Sequence, residues 1–236
     1  MIRAILTLRR KRVLVDIDTQ RDFFLAEGSS CVRNHRRVLA NVRRIMAWAR
    51  LSNIRVISTA RDFIGSNDSP MHARHDLACL RKLHYTVRNK NISFNADGST
   101  DLPREIFKQY EQVILHKRSI DPFAEPRADR MLSELRVDEF LIIGALTEDA
   151  VKATVLGLLA RRKRVTVLTD AIGGRDRNAA EIALRQMQAK GAKLIEVKNL
   201  IGTSSLRQVG ACGCDRCLGK FQKTPTDTPH QTAAEG

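Results

Sequence analysis

The chain has 236 residues, of which 43% are hydrophobic, and it carries a formal net charge of +15. A chain of this length and composition can bury a core without disulfide bonds, so it is predicted to form one large globular domain or two small ones. It contains no apolar run long enough to cross a bilayer, and its odd number of cysteines indicates a reducing, cytoplasmic location.

Strand-like and helix-like segments alternate along the chain. Apolar, β-branched runs predict six strands buried on both faces, at residues 12–18, 54–59, 111–117, 139–144, 164–170 and 192–197. Amphipathic patterns predict helices at residues 35–51, about 72–83, 125–136, 148–162 and 176–190. The alternation predicts an α/β, three-layer Rossmann-like fold, in which helices cover both faces of a six-stranded, mostly parallel sheet.

Polar segments divide this pattern. Residues 85–104 are polar and rich in turn formers, which predicts a long loop. The main domain is expected to span residues 1–205, followed by a cysteine-containing, flexible tail at 206–236.

The tail carries a dense group of thiols in the stretch ACGCDRCLG, formed by Cys212, Cys214 and Cys217. Such clusters bind zinc, but three ligands do not close a structural tetrahedral site. His230, a water molecule or another subunit would have to supply the fourth ligand. The alternative is a reduced tail whose thiols bind no metal.

Two basic runs each lead into a predicted strand, RRKRVLVDID at 9–18 and RRKRVTVLTD at 161–170. In a parallel sheet both runs lie at the amino edge, whereas ligand chemistry gathers at the carboxyl edge. They form either a solvated rim or a separate contact for a polyanion such as nucleic acid. Aromatic residues make up only 5% of the chain, which offers few platforms for base stacking.

Polar side chains collect at the predicted carboxyl edge. Asp18 ends the first strand, Arg61 follows the second, and Lys117 ends the third. Lys117 would hold Asp18 ionised or tune its proton transfer, so the two form a candidate catalytic pair. The alternatives are a carboxylate that caps a loop and a lysine that is solvated.

The stretch FLIIGALTEDAVKATVLGLL runs from a strand through a tight turn into a helix. Thr147 is the expected N-cap, and Glu148 and Asp149 suit the positive end of the helix dipole. Backbone N–H groups near Ala150 could bind an anion or an oxyanion. Ala150 itself carries no nucleophile.

Three motifs in order resemble the isochorismatase-like superfamily, the cysteine hydrolases. They are VLVDIDTQRDFF, ILHKRSIDPF and LIIGALTEDAVKATVLGLLARRKRVTVLTDAIGG, and the resemblance covers about residues 12 to 200. It implies a catalytic triad of Asp, Lys and Cys. The Asp position falls on Asp18, the Lys position on Lys117 and the Cys position on Ala150.

The residues expected to bind substrate belong to these motifs or follow the second strand. Gln20 and Phe23 lie in the first motif, and Arg61 could pair with a substrate carboxylate. Ala145 and Leu146, in the turn after the fourth strand, are also expected to bind substrate. Many members of the family have a cis peptide bond in this turn, here near Ala145 and Leu146.

The absence of the cysteine bears on which of the family's reactions this chain is expected to catalyse. Amide hydrolysis through an acyl-enzyme is not expected, and the Asp-x-His metal pattern of nicotinamidases lacks its histidine, so no metal cofactor is required. Isochorismatases cleave a vinyl ether, and the resemblance implies that their Asp acts as a general acid beside a small residue. Ala150 is compatible with that route.

Three functions therefore stay open. The first is a hydrolase for a small polar or anionic substrate, with Asp18 as the acid/base group assisted by Lys117. The second is a catalytically degenerate member that only binds a ligand or partner. The third is a nucleic-acid-associated basic protein. The resemblance also implies a homo-oligomer.

Overall fold

The computed structural model describes residues 11–26, 28–62 and 80–208, with the backbone alone for 203–208. These residues form one parallel sheet of seven strands in the order β3-β4-β2-β1-β5-β6-β7. The strands are β1 (Arg12–Ile17), β2 (Arg55–Arg61), β3 (Asn91–Phe94), β4 (Gln112–Lys117), β5 (Glu139–Ala145), β6 (Val165–Gly173) and β7 (Lys193–Ile195). The α/β fold is confirmed, with one strand more than predicted.

Helices connect the strands and cover the sheet. They are α1 (Arg21–Phe24), α2 (His35–Leu51), α3 (Ile106–Gln109), α4 (Pro126–Glu134), α5 (Lys152–Ala160), α6 (Arg177–Ala189) and α7 (Val197–Gln208), the last kinked at Gly202. Apolar side chains from α3, α4, α5 and α6 pack on one face. Those from α1, α2 and α7 pack on the other, so the molecule has the predicted three layers.

The strand β1 shows why both faces need helices. Val13, Val15 and Ile17 belong to the apolar cluster under α4 and α5, whereas Leu14 belongs to the cluster under α2. Alternate residues of a strand point to opposite faces. A continuous apolar run is therefore buried only when each face is covered.

The prediction of a long loop at residues 85–104 is partly wrong, because this segment contains the strand β3. This strand is short and only half-buried, and within the described residues it pairs with β4 alone at the edge of the sheet. An edge strand with one solvated face lacks the continuous apolar run that identified the other strands.

Two further predictions fall partly or wholly outside the described residues. Of the helix predicted at about 72–83, residues 72–79 lie outside, and residues 80–83 are not helical. The tail cysteines Cys212, Cys214 and Cys217 also lie outside, so the zinc hypothesis stays a prediction. Within the described part of the chain, no helix is long and apolar enough to span a membrane.

Candidate active site

Asp18 and Lys117 meet at the carboxyl edge of the sheet. Asp18 directly follows β1, Lys117 ends β4, and β2 lies between these two strands. The Asp18 Oδ2 and Lys117 Nζ atoms are 2.8 Å apart, and the side chains are 3% and 0% exposed. The structure therefore brings together the two residues proposed from sequence, as a buried ion pair. Their catalytic role stays a prediction.

Other groups complete the hydrogen bonding of this pair. Thr59 Oγ1 donates to Asp18 Oδ1 at 2.6 Å and accepts from the Asp18 backbone N–H at 3.2 Å. Lys117 Nζ donates to the carbonyl oxygens of Ser119 at 3.1 Å and Ile120 at 3.0 Å. The three donors of the ammonium thus have three acceptors, which a buried charge requires.

The loop that supplies those carbonyls is itself held in place. Glu125, whose side chain is 6% exposed, accepts from the Arg118 backbone N–H at 3.0 Å and from its Nε at 3.2 Å. This hydrogen bond and the attraction of the carboxylate raise the pKa of Arg118 above its ordinary value. The loop after β4 is therefore fixed around the Lys117 ammonium.

A second buried ion pair lies beside the first, and the sequence analysis did not predict it. Lys82 Nζ is 2.9 Å from Asp16 Oδ2, with side-chain exposures of 6% and 0%. The same ammonium donates to the Thr59 carbonyl at 3.1 Å and to Thr19 Oγ1 at 2.9 Å. The only sequence signal was Asp16 itself, because a carboxylate inside a buried strand requires a partner.

Ala150 lies on a π-helical turn, Thr147–Val151, between β5 and α5. It is 3% exposed and belongs to the same apolar cluster as Ile17, the residue before Asp18. Gly144 makes the close approach of β5 to β1 possible. Its φ is +131°, and a Cβ atom there would lie 1.9 Å from the Ile17 carbonyl oxygen.

The prediction that Thr147 caps the start of this helix is wrong. Leu146, with φ 15° and ψ 100°, precedes the turn, and Thr147 lies inside it. Glu148 instead accepts from the backbone N–H groups of Arg175 at 2.8 Å and Asp176 at 3.3 Å. Its carboxylate thus stabilises the loop before α6. No cis peptide bond occurs within the described residues, so the cis bond expected near Ala145 and Leu146 is absent.

The predicted substrate-binding residues have structural contacts. The Gln20 side chain donates to the carbonyl oxygens of Arg61 at 2.9 Å and Leu80 at 2.6 Å, and it accepts from the Arg61 backbone N–H at 2.8 Å. Gln20 therefore fixes the end of β2, next to Asp18. Phe23, Ala145 and Leu146 are buried in the apolar cluster under α2.

Within the described residues, no group of three or more His, Cys, Asp or Glu side chains could hold a metal ion. The groups that the structure brings together at Asp18 are of another kind. They are one carboxylate, one ammonium and one hydroxyl, all fixed by strands.

The comparisons with known proteins agree with this architecture. The model of the isochorismatase domain family matches residues 12–199. An isochorismatase-like hydrolase from Alkaliphilus metalliredigens superposes with a TM-score of 0.63 at 19% identity, covering 81% of this chain and 97% of the other. No curated protein matches the sequence.

Two other solved structures share the fold. The pyrazinamidase of Pyrococcus horikoshii, in complex with zinc, has a TM-score of 0.61 at 21% identity, covering 79% of this chain and 99% of the other. The MAR1 ribonuclease from Caenorhabditis elegans has a TM-score of 0.57 at 17% identity, covering 95% of this chain and 97% of the other. At these identities the similarity establishes the fold alone.

Proposed function

Because the chain belongs to the isochorismatase family, we propose that it is a hydrolase for a small polar or anionic substrate that works without a cysteine nucleophile. Asp18 is the acid/base group and Lys117 is its charged partner. The observation that carries this proposal is the 2.8 Å contact between their side chains at the carboxyl edge of the sheet, where ligands bind in such folds.

The hydrogen bonds around Asp18 suit a carboxylate that first accepts a proton. Lys117 and Thr59 each direct a donor at a different carboxylate oxygen. A carboxylate has about four lone-pair positions, so these two donors leave lone pairs that can accept from a water molecule. Asp18 takes a proton from that water as it attacks the substrate, and it then returns the proton to the leaving group.

The same carboxyl group, once protonated, can act as a general acid. This is the role that the family resemblance implies for vinyl ether cleavage. Ala150 is consistent with both routes because neither requires a covalent intermediate. Arg61, at the end of β2, is expected to pair with an anionic group of the substrate.

A panel of small esters, amides and vinyl ethers tests the proposal. Asp18→Asn is expected to abolish turnover without changing the fold, which circular dichroism can check. Asp22→Asn is the matched control, since Asp22 is also a buried carboxylate but hydrogen-bonds to Ser29. If the Asp18 variant keeps full activity, the proposed mechanism is wrong. New amidase activity in Ala150→Cys would indicate that the rest of the site is complete.

A second candidate is a degenerate member that only binds a ligand or partner. It is favoured by Ala150 and by the burial of Asp18, which is 2% exposed. Such a protein would show no turnover on the panel but a higher melting temperature with its ligand. Turnover that depends on Asp18 would exclude it.

A third candidate is nucleic-acid binding by the basic amino edge. The high positive charge favours it, and one structure of the same fold is described as a ribonuclease. Against it, Arg12 pairs with Glu139 and Arg164 pairs with Asp138, which neutralises part of this edge. Filter binding at two salt concentrations tests it, because phosphate contacts weaken steeply with salt.

Two further expectations need separate measurements. A homo-oligomer would be detected by light scattering coupled to size-exclusion chromatography. A cytoplasmic location would be detected by cell fractionation.

A further inference from the structure

Three polar residues away from the Asp18 site form a chain of hydrogen bonds. His116 Nδ1 lies 2.8 Å from Asp62 Oδ1, and His116 Nε2 lies 3.0 Å from Ser93 Oγ. This order of groups is that of a Ser-His-Asp triad, which is recognised by geometry and not by sequence position. We propose that Ser93 is a nucleophile, activated by His116 and Asp62, that reacts with small acyl esters.

The proposal assigns a role to each group, and the two contacts of His116 fit these roles. An ionised Asp62 can only accept, so the proton between it and His116 belongs to Nδ1. The Nε2 atom of the neutral ring then carries a lone pair, which accepts the Ser93 hydroxyl proton. This is the tautomer that a general base requires. Both distances fall in the range of about 2.6–3.2 Å in which a base activates a nucleophile.

Neighbouring strands hold the three residues. Ser93 lies on β3 and His116 on β4, the strand paired with it. Asp62 directly follows β2, and its backbone N–H donates to the Lys117 carbonyl at 2.9 Å, which extends the pairing of β2 with β4. Groups fixed on strands keep their separation better than groups on loops.

This group of residues is separate from the Asp18 site. His116 and Lys117 are consecutive on β4, so their side chains point to opposite faces of the sheet. The Lys117 side chain contacts Asp18, whereas the His116 side chain contacts Ser93 and Asp62. A substrate could therefore react at Ser93 without contacting Asp18.

The serine is also accessible. Ser93 is exposed, and the side chains of His116 and Asp62 are 27% and 32% exposed. Within the described part of the chain, β3 pairs with β4 alone. An open site of this kind suits small, activated esters.

The reaction conserves atoms and charge. Ser93 Oγ attacks the ester carbonyl carbon as its proton passes to His116 Nε2. The carbon–oxygen bond to the alcohol then breaks, and the imidazolium gives its proton to the departing alkoxide. A water molecule hydrolyses the resulting acyl-serine by the same two proton transfers, which restores the Ser93 hydroxyl.

The direct test uses a fluorophosphonate probe. Attack by Ser93 displaces fluoride and leaves a stable phosphonyl adduct, which mass spectrometry of the intact protein and its peptides can locate. The expected result is one adduct on Ser93, absent from Ser93→Ala. His116→Gln should slow labelling at least about 100-fold, the usual contribution of a general base. Asp62→Asn should slow it at least about tenfold by loosening the imidazole orientation.

Two controls make the result specific. Ser99→Ala removes a partly exposed serine that hydrogen-bonds to the Asp101 backbone, and it should label like the wild type. Asp18→Asn should still label at Ser93 even where turnover at Asp18 is lost, so the two proposals fail separately. No adduct on Ser93, or equal labelling of the His116 variant, would overturn the proposal.

A second measurement does not depend on the probe. In Ser93→Cys, His116 would take the thiol proton, because imidazole neighbours favour the thiolate. Iodoacetamide should then alkylate residue 93 at least about tenfold faster than it does when Asp62→Asn is added. Equal rates in the single and double variants would contradict activation by this group of residues.

Discussion

The ion pair between Asp18 and Lys117 gives a quantitative prediction for Lys117→Met. This change keeps most of the side-chain volume but leaves the Asp18 side chain, 3% exposed, without its counter-charge. The Ser119 and Ile120 carbonyl oxygens lose the same donor, but they are neutral acceptors, so the cost is concentrated on the charged Asp18. Breaking one partner of a buried pair costs about 3–5 kcal/mol of unfolding free energy.

Urea denaturation measures this loss. For a chain of this size, it corresponds to a fall in melting temperature of about 6–20 °C. Adding Asp18→Asn removes the unpaired charge, and the double variant should recover about 1–3 kcal/mol relative to the sum of the two single variants.

The matched control is an exposed ion pair. Arg177 and Glu181 lie one turn apart on α6, with a 3.1 Å contact and side chains 79% and 48% exposed. Arg177→Met should cost less than about 0.5 kcal/mol, because solvent replaces the lost partner. If Lys117→Met costs as little as this control, Asp18 is not a buried, paired carboxylate, and the proposed site loses its basis.

Three further predictions concern the residues that shape the site. Gly144→Ala should lower the free energy of unfolding by at least about 3 kcal/mol, because the new methyl group would lie 1.9 Å from a backbone oxygen. Its control, Gly98→Ala, has no atom within 4 Å of the new methyl group and should cost only about 1 kcal/mol, through the positive φ of Gly98. Lys82→Met should cost about 3–5 kcal/mol, since it leaves Asp16 buried and unpaired. Gln20→Leu should cost about 2–3 kcal/mol by removing the hydrogen bonds that fix the end of β2. Urea denaturation measures all of these changes.

Each of these predictions has a result that contradicts it. Equal costs for the Gly144 and Gly98 variants would mean that β5 does not approach β1 as closely as described. A neutral Lys82→Met would mean that water reaches Asp16. An unchanged stability for Gln20→Leu would favour its predicted role in substrate binding over a structural one.

Local sequence patterns were sufficient for most of the fold. The strands of the sheet interior are continuous apolar runs, and such a run is recognisable in the sequence as a strand buried on both faces. The edge strand β3 was missed because Asn91–Phe94 is half exposed and resembles the polar loops around it. The turn before α5 was placed correctly, but its capping was not, because Glu148 bonds to a loop that follows β6.

Some residues of the candidate site were likewise predicted from sequence, and others were found only in the structure. Asp18 and Lys117 were identified because each ends a predicted strand within a recognisable motif, and parallel strands end at one edge. Lys82 lies outside those motifs, so nothing local indicated that it contacts Asp16. Gln20 lies in a motif, but only the structure shows that its amide bonds to the end of β2.

The sequence by itself determined the layered α/β fold and the polar residues that end its strands, because burial and chain geometry act on neighbouring residues. Only the tertiary structure decided which of these residues meet. His116 is 54 positions from Asp62 and 23 from Ser93, and the strand order β3-β4-β2 makes them neighbours. Strand order results from the packing of the whole chain, so no local pattern could have revealed this group of residues.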